Sequence, residues 1–223
     1  MNIRLLFLLI FLLQSACSNQ PVVYAPVSDG TLIDPLPKNG IHHVKKGESL
    51  YSIAWRYGLD HHQIASNNHL THVHSGENIY LSRPTKLKHK QTHALVFHEP
   101  TSSVKVWHWP AKGPVIGNFS NLNKGINIAG RVDDPIYAAA RGKVVYSGKG
   151  LRGYGNLIII DHNKSYLTAY AHNKINLVKE GQMVKSSQKI ALMGNSCSRK
   201  VMLHFEIRKD GKPVNPLIIL NSY

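Results

Sequence analysis

The apolar positions change character several times along the chain. Leu5 to Leu13 is an unbroken apolar run. Further on, Leu50, Ile53, Ala54 and Tyr57 recur at helical spacing behind Ser49, an N-cap residue type, and Gly58 ends the pattern. Asp60, with Gln63 three residues later, predicts a capping box that opens a second short helix. Ile41 to Val44 and the alternation at Ile79 and Leu81 predict flanking strands. Residues 41–82 therefore read as a strand–helix–helix–strand module. From Val106 the pattern becomes Gly-rich, with short apolar runs at Gly142–Ser147, Leu157–Ile160, Tyr166–Ala171, Ile190–Met193 and Leu203–Ile207. A turn is expected at Asp161-His162-Asn163-Lys164, and such short connections favour antiparallel pairing. The predicted class is α+β multidomain: a small βααβ module, then a mainly antiparallel β domain over residues 106–223. No heptad repeat is present.

The segments outside these units are also informative. Arg4 precedes the first apolar run, which is too short to cross a bilayer as a helix, a task that needs about 20 residues. Gln14, Ser15, Ala16 and Cys17 follow, so residues 1–16 read as a secretory signal. Residues 17–40, with Pro21, Pro26, Pro35 and Pro37, read as an extended tether, and residues 83–105 as a polar linker. The formal net charge is +15, which implies an anionic partner surface. Secretion argues against nucleic acid and leaves lipid or an anionic wall polymer. Leu13 to Cys17 resembles a bacterial lipobox, in which Cys17 becomes the lipidated terminus. Gln14 departs from the pattern, where an aliphatic residue is usual. Ser18, which is not Asp, implies sorting to the outer membrane, at its periplasmic face. An oxidising compartment could pair Cys17 with Cys197. Lipidation of Cys17 leaves Cys197 as a lone thiol, expected to be a small buried hydrophobe.

Eleven of the 14 histidines lie between His42 and His108. His69, His72 and His74 are the best-spaced metal candidates among them. No Cys or Asp joins them at ligand spacing, so solvated histidines are the expectation.

HHVKKGESLYSIAWRYGLD at 42–60, IASNNHL at 64–70 and VHSGENIYL at 73–81 together resemble a LysM module. The resemblance implies binding of N-acetylglucosamine-containing glycan chains of peptidoglycan. In the second half, NKGINIAG at 123–130, GYGNLIIIDHN at 153–163, YAH at 170–172 and MLHFEIR at 202–208 resemble the lysostaphin/LytM-type zinc peptidases of the bacterial wall. In active members the first motif supplies a His and an Asp zinc ligand. The last supplies a catalytic His and the third ligand, and the YAH histidine assists the reacting water. Here Asn123 stands in place of the ligand His, Asn127 in place of the Asp, and Met202 in place of the catalytic His. His172 and His204 match. A catalytic zinc needs three strong protein donors and an open water position. One imidazole beside two carboxamides does not provide them, and Met202 cannot transfer a proton. The expectation is therefore a pseudoenzyme with no catalytic residue and no cofactor or metal.

The combination of a lipoprotein signal, a LysM module and a degenerate LytM-type domain resembles the NlpD-type murein hydrolase activator lipoproteins. WHWP at 107–110, LRGYGNLIII and LHFEIR carry the match in the second half. That resemblance implies activation of a periplasmic N-acetylmuramoyl-L-alanine amidase during septal wall splitting and daughter-cell separation. The relict cleft at Asn123, Asn127, His172, Met202 and His204 is the expected docking place. Two alternatives stand beside it. One is an active zinc metalloendopeptidase with a rewired set of His162, His172 and His204. The other is a plain anchoring lipoprotein.

Overall fold

The computed structural model describes residues 33–82, 106–163 and 165–220. The expected signal, Cys17 and the expected linker lie outside the described residues.

The N-terminal module comprises β1 (Ile41–His43), α1 (Leu50–Tyr57), α2 (His61–Asn68) and β2 (Asn78–Tyr80). The two strands pair antiparallel with His42 opposite Ile79. Ser49 caps α1 reciprocally with Ser52. Each backbone N–H donates to the other's hydroxyl oxygen, so two orphan donors are satisfied at once. Gly58 ends α1 in the left-handed region at φ 64°. Asp60 caps α2 by accepting from the His62 N–H at 2.9 Å. That helix ends at His69, a residue type the sequence pattern did not mark as a stop. Val44, Leu50, Ile53, Ile64, Ile79 and Leu81 form the module's own core. Residues 33–40 are tied down, unlike the loose tether expected there. The Asp34 N–H donates to the Arg56 carbonyl at 2.8 Å, and Ile33 packs against Gly58.

The C-terminal domain contains β3 (Val115–Gly117), β4 (Ile126–Ala129), β5 (Pro135–Tyr137), β6 (Gly142–Gly148), β7 (Asn156–Asn163), β8 (Tyr166–Asn176), β9 (Met183–Val184), β10 (Lys189–Met193), β11 (Met202–Lys209) and β12 (Lys212–Val214). A short α3 (Pro216–Leu220) closes it. The sheet runs in the order β3-β4-β11-β8-β7-β6-β9. β10 is attached to β5 and β8, and β12 to β11. Every pairing is antiparallel. All five strands marked by apolar runs are present. β7 runs on through Asn163, which pairs with Tyr166, so His162 is a strand residue and not the turn residue expected.

Alternation along β11 assigns the two faces. Leu203, Phe205 and Ile207 point to one side, where they join Ile126, Ile128, Ile158, Ile160 and Tyr170 in an apolar core. His204, Glu206 and Arg208 point to the other. That second face carries Leu157, Ile159, Leu167, Ala169 and Ala171, and Trp55 of α1 is buried against it. The N-terminal module is thus seated on the sheet. The Arg208 guanidinium lies 3.6 Å from the centroid of the Trp55 ring and donates to the Trp55 carbonyl at 3.0 Å. The Tyr51 hydroxyl donates to Asp161 at 3.1 Å, and the Ser49 hydroxyl to the Val145 carbonyl at 3.2 Å. Gly211 permits a close approach of the two modules. A Cβ there would come within 2.8 Å of the Leu59–Asp60 backbone.

Candidate functional site

Four of the five residues expected in the relict cleft lie on the second face. The register of β4 against β11 sets Asn127 opposite His204. The His204 ring meets the Asn127 carboxamide at 2.7 Å through Nδ1, and through Nε2 it donates to the Glu206 carboxylate at 3.1 Å. The carboxamide can turn either end to the ring, so it serves whichever role Nδ1 needs. His172 ends the straight part of β8 at φ 66°, its ring centroid 6.0 Å from that of His204. Its Nδ1 is bonded to the Ser196 carbonyl at 2.8 Å. Met202 is buried two residues before His204 on the same strand and, by alternation, on the same face. Asn123 is held apart. Its carboxamide donates to the Asn118 carbonyl at 3.0 Å, and its backbone N–H to the Ser120 hydroxyl.

The site continues inward through a buried charged network that the sequence pattern did not flag. Tyr154 donates to Glu206 at 2.6 Å, and Arg208 bonds Glu206 through both Nε and Nη2. Burial alone would raise the Glu206 carboxyl. The Arg208 charge, the hydrogen bond and charge of His204 and the Tyr154 hydroxyl outweigh it and hold the group at about 2. The His172 imidazole is lowered to about 4 by burial first and then by the neighbouring His204, against the favourable Ser196 carbonyl. A continuous relay results, from Asn127 through His204, Glu206 and Arg208 to Trp55 of the N-terminal module. The only sequence signal for it was the unusual charge in Glu206 and Arg208, set among apolar strand residues.

This donor set does not fit a zinc ion. Both nitrogens of His204 are committed to side-chain partners, Asn127 offers a neutral carboxamide, and Asn123 faces its own loop. The three-His alternative is not assembled either. His162 projects to the opposite face, bonded to the Arg141 carbonyl and the Thr168 hydroxyl and packed on Trp107. The His69, His72 and His74 set does not converge. His72 bonds Thr71, and His74 bonds Glu77. The ligand-type atoms that do cluster among the described residues are those of Asp60, His61 and His62, within 4.8 Å of one another. Cys197 is exposed at φ 57°, not buried as expected, because it sits at the crest of the loop between β10 and β11.

Residues 42–80 match the LysM domain model, and residues 121–216 match the model for Peptidase family M23. A protein of Pseudomonas aeruginosa described as "Lipoprotein NlpD/LppB homolog" is 37% identical, over 92% of this chain and 87% of its own length. The chain belongs to the NlpD/LppB lipoprotein family. The "Murein hydrolase activator NlpD" of Escherichia coli is 54% identical over 52% of this chain, an alignment that spans 32% of that relative's length. A crystal structure of a zinc-containing peptidase from Vibrio cholerae superimposes with a TM-score of 0.47 at 30% identity, covering 50% of this chain and 39% of that one. The NlpD/LppB architecture of this chain is a small helix-containing LysM region followed by a mainly antiparallel M23 domain.

Proposed function

We propose that this lipoprotein is a non-enzymatic adaptor. It binds peptidoglycan glycan strands through its LysM module and activates a periplasmic N-acetylmuramoyl-L-alanine amidase through the relict cleft of its M23 domain. Acylated Cys17 holds it at the periplasmic face of the outer membrane, and its action serves septal wall splitting. The observation that carries this reading is the engagement of His204. A ring bonded on one side to Asn127 and on the other to Glu206 has both nitrogens engaged by side chains, and the carboxamides of Asn123 and Asn127 add no strong zinc donor beside it. With Met202 beside it, no group at that position accepts a proton from water.

The cleft can still recognise a peptide. Asn127 offers a neutral carboxamide that is half-exposed beside two buried imidazoles. A segment of an autoinhibited amidase that binds there better than it binds the amidase's own active site shifts the enzyme toward its open state. The test is amidase stimulation on purified sacculi. Asn127→Arg should abolish stimulation while circular dichroism and sacculus binding stay unchanged. Full stimulation by several folded cleft variants would place the docking surface elsewhere on the domain. Stoichiometric zinc in the purified wild-type protein would overturn the non-enzymatic reading. Cys17→Ser should move the protein out of the membrane fraction after a high-salt wash, which removes attachment by basic charge alone.

A further inference from the structure

The start of α2 gathers a carboxylate and two imidazoles where the two modules meet. The donor atoms of Asp60, His61 and His62 lie within 4.8 Å of one another. The His61 ring is stacked on Tyr51 at 4.2 Å between centroids, and Tyr51 in turn donates to Asp161 of β7 in the M23 domain. On the other side of His61 lies the His62 ring, 3.9 Å away. The backbone of Leu59 and Asp60 is the part of the module that Gly211 allows to approach so closely. The cluster thus belongs to the LysM module by sequence and to the junction by position.

Polar atoms here are buried without partners. The His61 side chain is 7% exposed, and neither Nδ1 nor Nε2 has a hydrogen-bond partner. Its nearest carboxylate oxygen, Oδ1 of Asp60, stands 3.7 Å from Nδ1, beyond hydrogen-bond reach, and accepts from the His62 N–H instead. Across the junction, Oδ1 of Asp161 is also buried and unpartnered, while Oδ2 takes the Tyr51 hydroxyl. Buried polar groups are almost always satisfied, so orphans on both sides of one junction call for a ligand. Two of them are acceptors in need of a positive group. Burial first, and then the charge of His62, lower His61 to about 4 against the pull of Asp60, so its imidazole is neutral at ordinary pH and carries a lone pair. Two imidazoles with a carboxylate suit a first-row divalent ion such as zinc. Tetrahedral donors stand about 3.4 Å apart around bonds of about 2.0–2.1 Å. The exposed His62 ring is free of packing constraints on its outer side and can turn to close the set. The positive end of α2 opposes a cation. Asp60 and Asp161 supply two negative charges against it, and Asp161 is near enough for His62 to lower its carboxyl.

We propose that Asp60, His61 and His62 bind a zinc ion at the junction of the modules, with Asp161 of the M23 domain as the carboxylate that faces it. The ion fixes the LysM module on the sheet face that carries Asn127 and His204. Its role is structural, and it is separate from the amidase reading. A set without thiolates, at the positive end of a helix, releases its ion during purification. Zinc kept by the purified protein therefore still reports on the M23 cleft, and His204→Ala, which leaves residues 60–62 untouched, tells the two apart.

The test is equilibrium dialysis of the untagged, soluble full-length chain bearing Cys17→Ser against zinc alone, from about 1 to 100 µM. His62→Ala, at an exposed position that carries no packing, should weaken uptake of one ion about tenfold or more, and His61→Gln should do the same. Asp161→Asn, in the other module, should weaken it about tenfold. A chain with His69→Ala, His72→Ala and His74→Ala should keep that ion. Zinc should also raise the urea midpoint of the wild-type chain and leave that of His62→Ala unmoved. The site is overturned if His62→Ala and His61→Gln bind zinc as the wild type does, or if the triple variant loses the ion. Unchanged affinity in Asp161→Asn overturns the bridging between modules.

Discussion

The two faces of the large sheet are built on different principles. One face buries Ile126, Ile128, Ile158, Ile160, Leu203 and Phe205 against elements of the same domain. Its polar members, His162, Thr168 and Tyr170, satisfy one another and the local backbone. The other face buries ions. Glu206 and Arg208 are 0% and 1% exposed, and the lid over Arg208 is Trp55, which comes from the LysM module. An apolar face gains stability by closing on itself. A buried ion pair is stable only while every charge keeps its partners. The M23 domain therefore depends on the LysM module on one side and not on the other. The side that depends on it is the side that carries Asn127 and His204.

Acid should produce the largest effect, and it strikes both faces. Burial lowers His61, His162 and His172 to about 4 from an ordinary 6.5. The unfolded chain binds protons on these rings below pH 6.5 while the folded chain does not. Their stabilising contribution is therefore complete above 6.5 and is lost as the pH falls toward 4, on the order of several kcal/mol in sum. Glu206 behaves differently, because its folded value of about 2 confines its loss to more acidic solution. Urea midpoints measured from pH 7 to pH 4 should fall across that window, and His162→Gln should flatten the curve. A flat wild-type curve would mean the rings are hydrated.

Breaking the ionic face comes next. Glu206→Ala leaves Arg208 buried without its carboxylate and should cost about 3–5 kcal/mol. Ile128→Val on the apolar face should cost only about 1 kcal/mol. Equal shifts in urea midpoint would erase the contrast between the faces. Trp55→Ala sharpens it further. About 3 kcal/mol is expected, and the loss should extend to the M23 domain, whose Arg208 becomes exposed. Hydrogen exchange on β11 reads this directly. Ile64→Ala, confined to the LysM core, should leave β11 protection unchanged. The smallest change is Tyr51→Phe, which removes one hydrogen bond to Asp161 at about 1 kcal/mol and should loosen the module contact without unfolding either part. Limited proteolysis between the modules would detect it.

Much of this was legible in the chain. The helix α1 followed from apolar spacing and from Ser49 and Gly58, since capping and amphipathicity are local. The longer strands followed from their apolar runs. β3, β4 and β5 were not marked, because each has only three or four residues, too few to show a period. The capping partner of Ser49 proved to be Ser52, while at Asp60 the bond runs to the His62 N–H, two residues on. Of the residues expected in the cleft, Asn127, His172, Met202 and His204 share the second face of the sheet. The loop from Asn118 to Asn123 turns Asn123 toward its own carbonyls. Cys197 was misread because residue type says little about position on a loop crest.

What the sequence determined by itself was chemical identity: positions 123 and 127 carry carboxamides, position 202 a thioether, and positions 172 and 204 imidazoles. A side chain's capacity to donate, accept or coordinate belongs to its atoms, so it can be read without coordinates. Tertiary structure alone decided what each group is bonded to. Strand register set Asn127 against His204, and alternation put His162 on the far face. The seating of α1 brought Trp55 over Arg208, 153 positions apart along the chain. Pairing across such separations depends on how all the intervening elements pack, and no local pattern in the chain encodes it.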